Sequence, residues 1–217
     1  AALFGVANEF FDALPIDQAV WRQRAWRHRF VTAVHGALGF VDGPALSESE
    51  LARWQITNEH EDITEGSIAE CCPAAELIMQ QLAGRIARHG GACLIIDYGK
   101  NDNFSDSLQA VSAHKPVDLF YQPGNADISH WVDFAALRRA ANNTGARFLG
   151  PVTQADFLMA IGLRERAENA ARLCDADGRR ALFAAVDRLV GAHHMGTAFK
   201  VGLIVSAGDG VPVGFSR

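Results

Sequence analysis

The chain has 217 residues, of which 49% are hydrophobic and 21% charged, and its formal net charge is −5. These proportions are typical of a globular core and exclude disorder, collagen-like repeats and a fibrous coil. The length predicts one domain. The negative charge does not favour binding to nucleic acid or to an anionic membrane surface, and no apolar run approaches the ~18 residues of a membrane span.

The first third of the chain predicts a strand, a hairpin and a loop. Leu3 to Ala7 form a continuous apolar run that stops at Asn8-Glu9. Because such runs occur mainly inside parallel sheets, we expect the chain to begin in the middle of a sheet. Alternating β-branched and aromatic residues over 16–34 predict a hairpin. The acidic stretch 42–66 has little periodicity and predicts a long loop or mobile insertion.

A helix followed at once by a strand indicates the fold class. Apolar residues at helical spacing predict a helix from Pro73 to Gly90-Gly91. The apolar strand Ala92 to Asp97 comes directly after it and is closed by Tyr98-Gly99. A helix, a glycine stop and a fully apolar strand are typical of a parallel sheet covered on both faces. The predicted fold class is therefore α/β with long loops.

The rest of the chain alternates between a second long loop and regular elements. Residues 100–131 predict an irregular segment, after which Asp133 caps a helix. The remaining predicted elements are a short strand at 147–149, helices at 154–161, 163–173 and 177–190, and a last strand at 199–206.

Acidic residues follow two of the predicted strands. Glu9, with Asp12 one turn later, follows the first strand, and Asp97 closes the strand at 92–97. Ligands of open α/β sheets bind beyond the carboxyl ends of the strands, so Glu9 and Asp97 open into one crevice if their strands are neighbours. Such carboxylates could bind a cation, orient a guanidinium or ammonium, or act as acid and base. In the alternative interpretation each acid only caps a turn or a helix.

The presence or absence of other motifs limits the classes of function that the sequence predicts. The chain contains no G-x-G-x-x-G, no P-loop and no G-x-S-x-G. The adjacent His193-His194 diverge in most conformations, so no metal site is predicted. The run WRQRAWRHR at 21–29 could stack nucleic-acid bases, but the net charge favours a solvated hairpin face, with a docking patch for an acidic protein as the alternative. The four cysteines lack a CxxC pair and predict reduced thiols in an intracellular compartment.

Several motifs together resemble one family across essentially the whole chain. This is the MidA-like family of class I S-adenosylmethionine-dependent methyltransferases, related to the mitochondrial complex I assembly arginine methyltransferase. The motifs are NEFFDALP (8–15), WRHRF (26–30), AECCPAAE (69–76), LIIDYG (94–99), DSLQAV (106–111), PGNADISHWVDF (123–134), GPVTQADFL (150–158) and MGTAFKV (195–201).

The resemblance implies the second half of a Rossmann-like methyltransferase sheet with long insertions. Leu3–Ala7 would be its fourth strand, Ala92–Asp97 its fifth and Phe199–Ser206 its antiparallel last strand. The N-terminal strands, with the glycine-rich cofactor loop, would be missing, so that 1–217 would be the C-terminal part of a longer methyltransferase domain. Residues 16–66 would be an inserted hairpin and loop, and 100–131 a loop on the substrate side.

The resemblance also implies the site residues. The cofactor would be S-adenosylmethionine, with S-adenosylhomocysteine as product and no metal. Asn8, Glu9 and Phe10 would bind the cofactor, while Glu9, Asp12 and Asp97 would be catalytic, with the acids orienting a substrate guanidinium. The residues expected to bind substrate are Phe11, Tyr98, Gln109, His114, Asp127 and Asp133.

The resemblance leaves partners and alternatives to be tested. Asn125, His28 and Gly202 depart from the family pattern, which bears on substrate choice. We expect a protein substrate, no nucleic acid and no membrane, and either a homo-oligomer or a separate N-terminal segment that pairs with the Leu3–Ala7 edge. The location would be cytoplasmic in a bacterium and mitochondrial in a eukaryote. The alternatives are a non-enzymatic assembly factor that docks a partner on the two long loops, and a different Rossmann-like enzyme.

Overall fold

The computed structural model describes residues 1–56 and 63–215. Over these residues the strands are β1 (Leu3–Asn8), β2 (Asp17–Arg22), β3 (Ala25–Val34), β4 (Ala37–Ala45), β5 (Ile68–Cys71), β6 (Gly91–Lys100), β7 (Gln109–Ser112), β8 (Lys115–Val117), β9 (Asp127–Ser129), β10 (Val132–Asp133), β11 (Ala146–Thr153) and β12 (Phe199–Ser206). The helices are α1 (Glu48–Trp54), α2 (Pro73–His89), α3 (Phe134–Asn142), α4 (Gln154–Ala160), α5 (Leu163–Ala171), α6 (Ala176–Val190) and α7 (Met195–Ala198).

The main sheet has the strand order β1-β6-β12-β11, and β10 pairs with the end of β6. β1 runs parallel to β6, whereas β12 is antiparallel to both β6 and β11. α2 and α3 bury their apolar residues, among them Met79, Ile86 and Leu137, in one cluster with Ile95 and Ile204 of the sheet. The α/β class and the strands predicted at 3–7, 92–97 and 199–206 are confirmed.

β1 lies at the edge of this sheet within the part of the chain that the structure describes. Its pairing with β6 requires a glycine at Gly91, because φ is +114° there and a Cβ would stand 1.9 Å from the Leu3 carbonyl oxygen. Phe4 and Val6 point away from the helices and are 78% and 68% exposed. The proposed missing strands beside β1 stay a prediction.

The second sheet has the order β4-β3-β2-β5 and contains the predicted hairpin, in which β2 pairs with β3. The prediction of one continuous loop over 42–66 is wrong: β4 extends to Ala45, and α1 follows. Ser47 and Glu50 form a capping box that stabilises this helix, which is too short to show periodicity in the sequence, and Trp54 at its end is buried. Positions 57–62 of the predicted loop lie outside the described residues.

The segment 100–131 is also more regular than predicted. It contains a small antiparallel sheet in the order β8-β7-β9. These strands have three or four residues each, which is too few for an alternating pattern to stand out. The three helices predicted near the C-terminus agree with α4, α5 and α6 within a few residues, while the four-residue α7 was missed. None of the helices in the described ranges has the length and apolar character of a membrane span.

Candidate functional site

An open cleft of about 810 Å³ lies at the carboxyl ends of β1 and β6. Its floor comes from the segment after β1 and from Tyr98, one wall comes from β7, β9 and Trp131, and the end of α7 closes the far side. The residues that line it are Glu9, Asp12, Ala13, Tyr98, Gln109, Val111, Ala126, Asp127, Ile128, Ser129, Trp131, Ala198 and Phe199. The two predicted strand ends therefore do meet in one crevice, because β1 and β6 are parallel neighbours.

Asp97 joins the two strand ends from beneath the cleft. Its Oδ2 atom accepts hydrogen bonds from the backbone N–H groups of Phe10, Phe11 and Asp12, at 3.2, 2.9 and 3.3 Å. Its Oδ1 atom accepts from the Tyr98 N–H at 3.1 Å. The carboxylate thus fixes the backbone of the segment that follows β1.

The environment of Asp97 changes its acidity. The residue is completely buried, and burial together with the neighbouring Asp12 carboxylate raises the pKa of Asp97 to about 7, although the three backbone N–H groups oppose the shift. Asp97 is not among the residues that line the cleft. In this structure the Asp97 carboxylate contacts the backbone of the segment that follows β1, and its catalytic role stays a prediction.

Asp12 and Tyr98 form a polar cluster on the cleft floor. The Tyr98 hydroxyl donates to Ser129 Oγ and accepts from Gln109 Nε2 at 2.9 Å. Asp12 is 7% exposed, and burial raises its pKa while the nearby Tyr98 hydroxyl and His130 lower it. Its Oδ1 atom is buried and has no hydrogen-bond partner among the described residues.

Glu9 stands at the mouth of the cleft, where the chain turns out of the sheet. Its N–H still donates to the Ile96 carbonyl at 2.9 Å, continuing the β1–β6 ladder. Its φ of +47° is left-handed and redirects the backbone towards Phe10. Asn8 and Glu9 are exposed and Phe10 is 44% exposed, so all three side chains are accessible at the carboxyl end of β1.

Three predicted substrate contacts lie elsewhere. Phe11 is completely buried in the main core, so it cannot touch a substrate in this arrangement. Asp133 caps α3 by accepting from the N–H groups of Ala135 and Ala136. His114 lies in the turn between β7 and β8 and does not line the cleft. Tyr98, Gln109 and Asp127 do line it, and their role in substrate binding stays a prediction.

The sequence interpretation missed Ser129, Trp131 and Phe199, which also line the cleft. Ser129 and Trp131 belong to the run PGNADISHWVDF, in which only the acids were singled out. Their place on the wall follows from the pairing of β9 with β7, and strands this short leave no pattern in the sequence.

The charge of the cleft suits a cationic ligand. Its lining contains the carboxylates of Glu9, Asp12 and Asp127, and no lysine, arginine or histidine. A guanidinium or a sulfonium would find acceptors and no repelling charge here. Across residues 1–56 and 63–215 no group of three or more His, Cys, Asp or Glu side chains is arranged to hold a metal ion.

Comparison with curated proteins finds relatives that are named mitochondrial protein arginine methyltransferases. The chain is 34% identical over 200 residues to the zebrafish (Danio rerio) protein arginine methyltransferase NDUFAF7, mitochondrial, which covers 90% of this chain and 45% of the relative. The Mus musculus protein of the same name is 36% identical over 201 residues, covering 89% of this chain and 44% of the relative. This chain thus spans less than half the length of these curated relatives.

The chain also matches solved structures and a family model. A native crystal structure from Burkholderia thailandensis superposes with a TM-score of 0.84 at 29% identity, covering 98% of this chain and 57% of that one. A second from the same organism, bound to S-adenosyl-homocysteine, gives 0.82 at 28% identity, covering 98% and 55%. The family model described as "Putative S-adenosyl-L-methionine-dependent methyltransferase" matches residues 1–152. The chain belongs to this family of S-adenosyl-L-methionine-dependent methyltransferases.

Proposed function

We propose that this chain supplies the substrate side of the active site of a protein arginine methyltransferase. One observation carries the proposal: three carboxylates, with no basic residue in the same lining, lie in an open cleft at the carboxyl ends of two parallel strands. An arginine side chain that projects from a partner protein matches this cleft in charge. The names of the curated relatives support the same substrate class.

The accessible residues at the end of β1 fit the cofactor. Asn8 offers hydrogen-bonding groups suited to ribose hydroxyls, and the part-exposed Phe10 ring offers an apolar surface suited to an adenine base. S-adenosylmethionine, when bound, supplies an electrophilic methyl group on a sulfonium. The acids at the cleft are compatible with that positive charge.

Glu9 and Asp12 orient the guanidinium in this proposal. A guanidinium stays protonated in water and carries five N–H donors, so it presents donors to both carboxylates. Hydrogen bonds to the acids draw the positive charge towards the nitrogens that they contact and leave the electron pair of another nitrogen available to attack the methyl group. Since the attack must be in line, holding the reacting atoms in place supplies most of the rate.

One proton leaves as the nitrogen gains its methyl group. Asp12, which lines the cleft, is suited to accept it because burial raises the pKa of this carboxyl. Asp97 keeps Asp12 and its neighbours in place through the three backbone hydrogen bonds. The chain's residues thus bind, orient and deprotonate the substrate.

The test uses the full-length protein and the substitution Glu9→Gln, which keeps the shape of the side chain and removes its charge. We expect methyl transfer to fall by roughly 100-fold or more, as when one group that stabilises charge in a transition state is lost. Binding of S-adenosylhomocysteine, measured by calorimetry, should stay nearly unchanged. Glu168→Gln, at an exposed position on α5, is the matched control and should be as active as the wild type.

Two outcomes would count against these assignments. Unchanged turnover in the Glu9→Gln variant would refute its catalytic role, whereas loss of S-adenosylhomocysteine binding would place Glu9 on the cofactor instead. A wild-type protein that binds S-adenosylhomocysteine and transfers no methyl group to arginine would refute the proposed reaction and favour an assembly factor.

A further inference from the structure

The wall of the cleft that β9 contributes carries large apolar side chains that are open to solvent. Trp131 is 45% exposed and Ile128 is 49% exposed, and both line the cleft. An indole face attracts a guanidinium through its π electrons, and a tryptophan beside carboxylates adds to the binding of a cation. No part of the arrangement of the main sheet requires an exposed tryptophan at this position.

The backbone of Trp131 is held by a short relay of hydrogen bonds. Its N–H donates to Ser107 Oγ at 2.8 Å. The Ser107 hydroxyl in turn donates to Glu70 Oε2 at 2.5 Å, and the Ser107 N–H donates to Glu70 Oε1 at 2.9 Å. Glu70 is 6% exposed. The serine hydroxyl therefore connects a buried carboxylate directly to the cleft wall.

The relay begins in the second sheet. Glu70 belongs to β5, and its Oε1 atom also accepts from Gln18 Nε2 of β2 at 2.8 Å. Gln18 is fixed in turn, because its Oε1 atom accepts from Arg29 of β3 at 3.2 Å. Glu70 thus has three donors on two oxygens, which is what a buried carboxylate requires. These hydrogen bonds fix the orientation of Glu70 and Gln18, and they connect the second sheet to the cleft wall.

We propose that Trp131 is a substrate-binding residue of the cleft and that the Glu70–Ser107 pair positions it. The binding half of this inference, the contact of Trp131 with substrate, rests on the proposed arginine substrate. The positioning half, the role of Glu70 and Ser107, is independent of the reaction. The ligand that Trp131 contacts is the guanidinium or the side-chain stem of the substrate arginine. Glu70 and Ser107 are positioning residues, since neither lines the cleft.

The positioning half is tested by fluorine NMR of full-length protein labelled with 5-fluorotryptophan, with Trp131→Phe used to assign the resonance. Ser107→Ala deletes the connecting hydroxyl with little change of volume, and we expect the Trp131 resonance to shift or broaden. Glu70→Leu should do the same. Glu70→Gln should retain the wild-type signal, because the amide oxygen can accept both Oε1 bonds and the amide nitrogen can donate to Ser107 Oγ.

A control in the same part of the molecule separates positioning from general destabilisation. Glu50→Leu breaks the capping box of α1 without touching Ser107 or Trp131, so it should leave the Trp131 resonance in place. An unchanged resonance in Ser107→Ala would overturn the positioning role, even if Glu70→Leu fails to fold.

The binding half is tested with an acetylated Gly-Arg-Gly peptide titrated into the labelled full-length protein. Trp131→Ala should weaken peptide binding by about five- to tenfold, the range expected for a lost contact between an arginine and a tryptophan face. Ser107→Ala should weaken it in the same direction, and in turnover both variants should raise KM more than they lower kcat. Affinity for S-adenosylhomocysteine should not change.

The outcomes distinguish this inference from the proposed function. If the wild type binds the peptide and transfers methyl groups while Trp131→Ala binds equally well, Trp131 is not a substrate contact. If the wild type binds no arginine peptide, both the arginine substrate and the binding role of Trp131 are refuted. The fluorine resonances report on Glu70 and Ser107 in either case.

Discussion

Asp97 offers a sharp test of the site because its carboxyl is both buried and hydrogen-bonded. Replacing it with Asn keeps one oxygen that can accept from the N–H groups of Phe10, Phe11 and Asp12, and it removes the ionisation. The pKa of Asp97 is raised to about 7 from the model-compound value of 3.8. The folded protein therefore holds a proton between these pH values that the unfolded chain has already released.

The sign and size of the effect follow from this difference. Where the folded state binds the extra proton, stability decreases as pH rises, by about 1.4 kcal/mol per pH unit for one group. The loss begins near pH 3.8, reaches about 4 kcal/mol near pH 7 and then levels off. The Asp97→Asn variant lacks this loss. Its free energy of unfolding, relative to the wild type, should therefore rise by roughly 2–3 kcal/mol between pH 5 and pH 7.5.

The assay is urea unfolding followed by circular dichroism at several pH values from 5 to 8, for the wild type and Asp97→Asn. Titrating groups remote from Asp97 contribute equally to both proteins, so the difference reports on Asp97 and on the Asp12 carboxyl that interacts with it. Asp12→Asn is a second check, because removing this neighbouring charge should lower the pKa of Asp97 and move the transition to lower pH. A difference between wild type and Asp97→Asn that stays constant from pH 5 to pH 8 would refute the reasoning.

Two further predictions concern packing and capping. A Cβ on Gly202 would stand 2.3 Å from the Phe148 ring, so Gly202→Ala should lower the free energy of unfolding by about 1–3 kcal/mol. Adding Phe148→Leu to this variant should recover part of the lost stability. An unchanged melting temperature in the Gly202→Ala variant would contradict this packing. Ser47→Ala removes the α1 cap and should cost about 1 kcal/mol in urea unfolding; a free energy of unfolding equal to that of the wild type would contradict the cap.

The sequence predicted the long elements well, since they carry their own signals. α2 has an apolar stripe, a proline in its first turn and a glycine at its end, and β6 is apolar from Gly91 to Ile96. The four-residue α7 and the three-residue β8 carry no such pattern, because their positions depend on contacts with distant segments. The capping box at Ser47 was visible in the sequence and would have identified α1.

Part of the candidate site could be predicted, because some of its residues are marked by a pattern in their own stretch of sequence. Glu9 and Asp12 follow a strand and could be placed at its carboxyl end by a general rule of α/β sheets. The burial of Asp97 could not be predicted, because the Phe10, Phe11 and Asp12 N–H groups that it contacts lie 85 to 87 residues away in sequence. Trp131 was missed because its place on the cleft wall depends on Ser107, 24 residues earlier.

The wide sequence gap between β1 and β6 determines the order in which the molecule can be assembled. Leu3 pairs with Gly91, while β2, β3 and β4 are joined by short turns and pair with their immediate neighbours. Contacts between neighbours in sequence cost little chain entropy, so the inserted hairpins can form while the first strand is still unpaired. During synthesis β1 must wait for residues 91–96 to leave the ribosome. The cleft is therefore among the last parts of this chain to acquire its shape, although the segment after β1 is made before the other residues that line it.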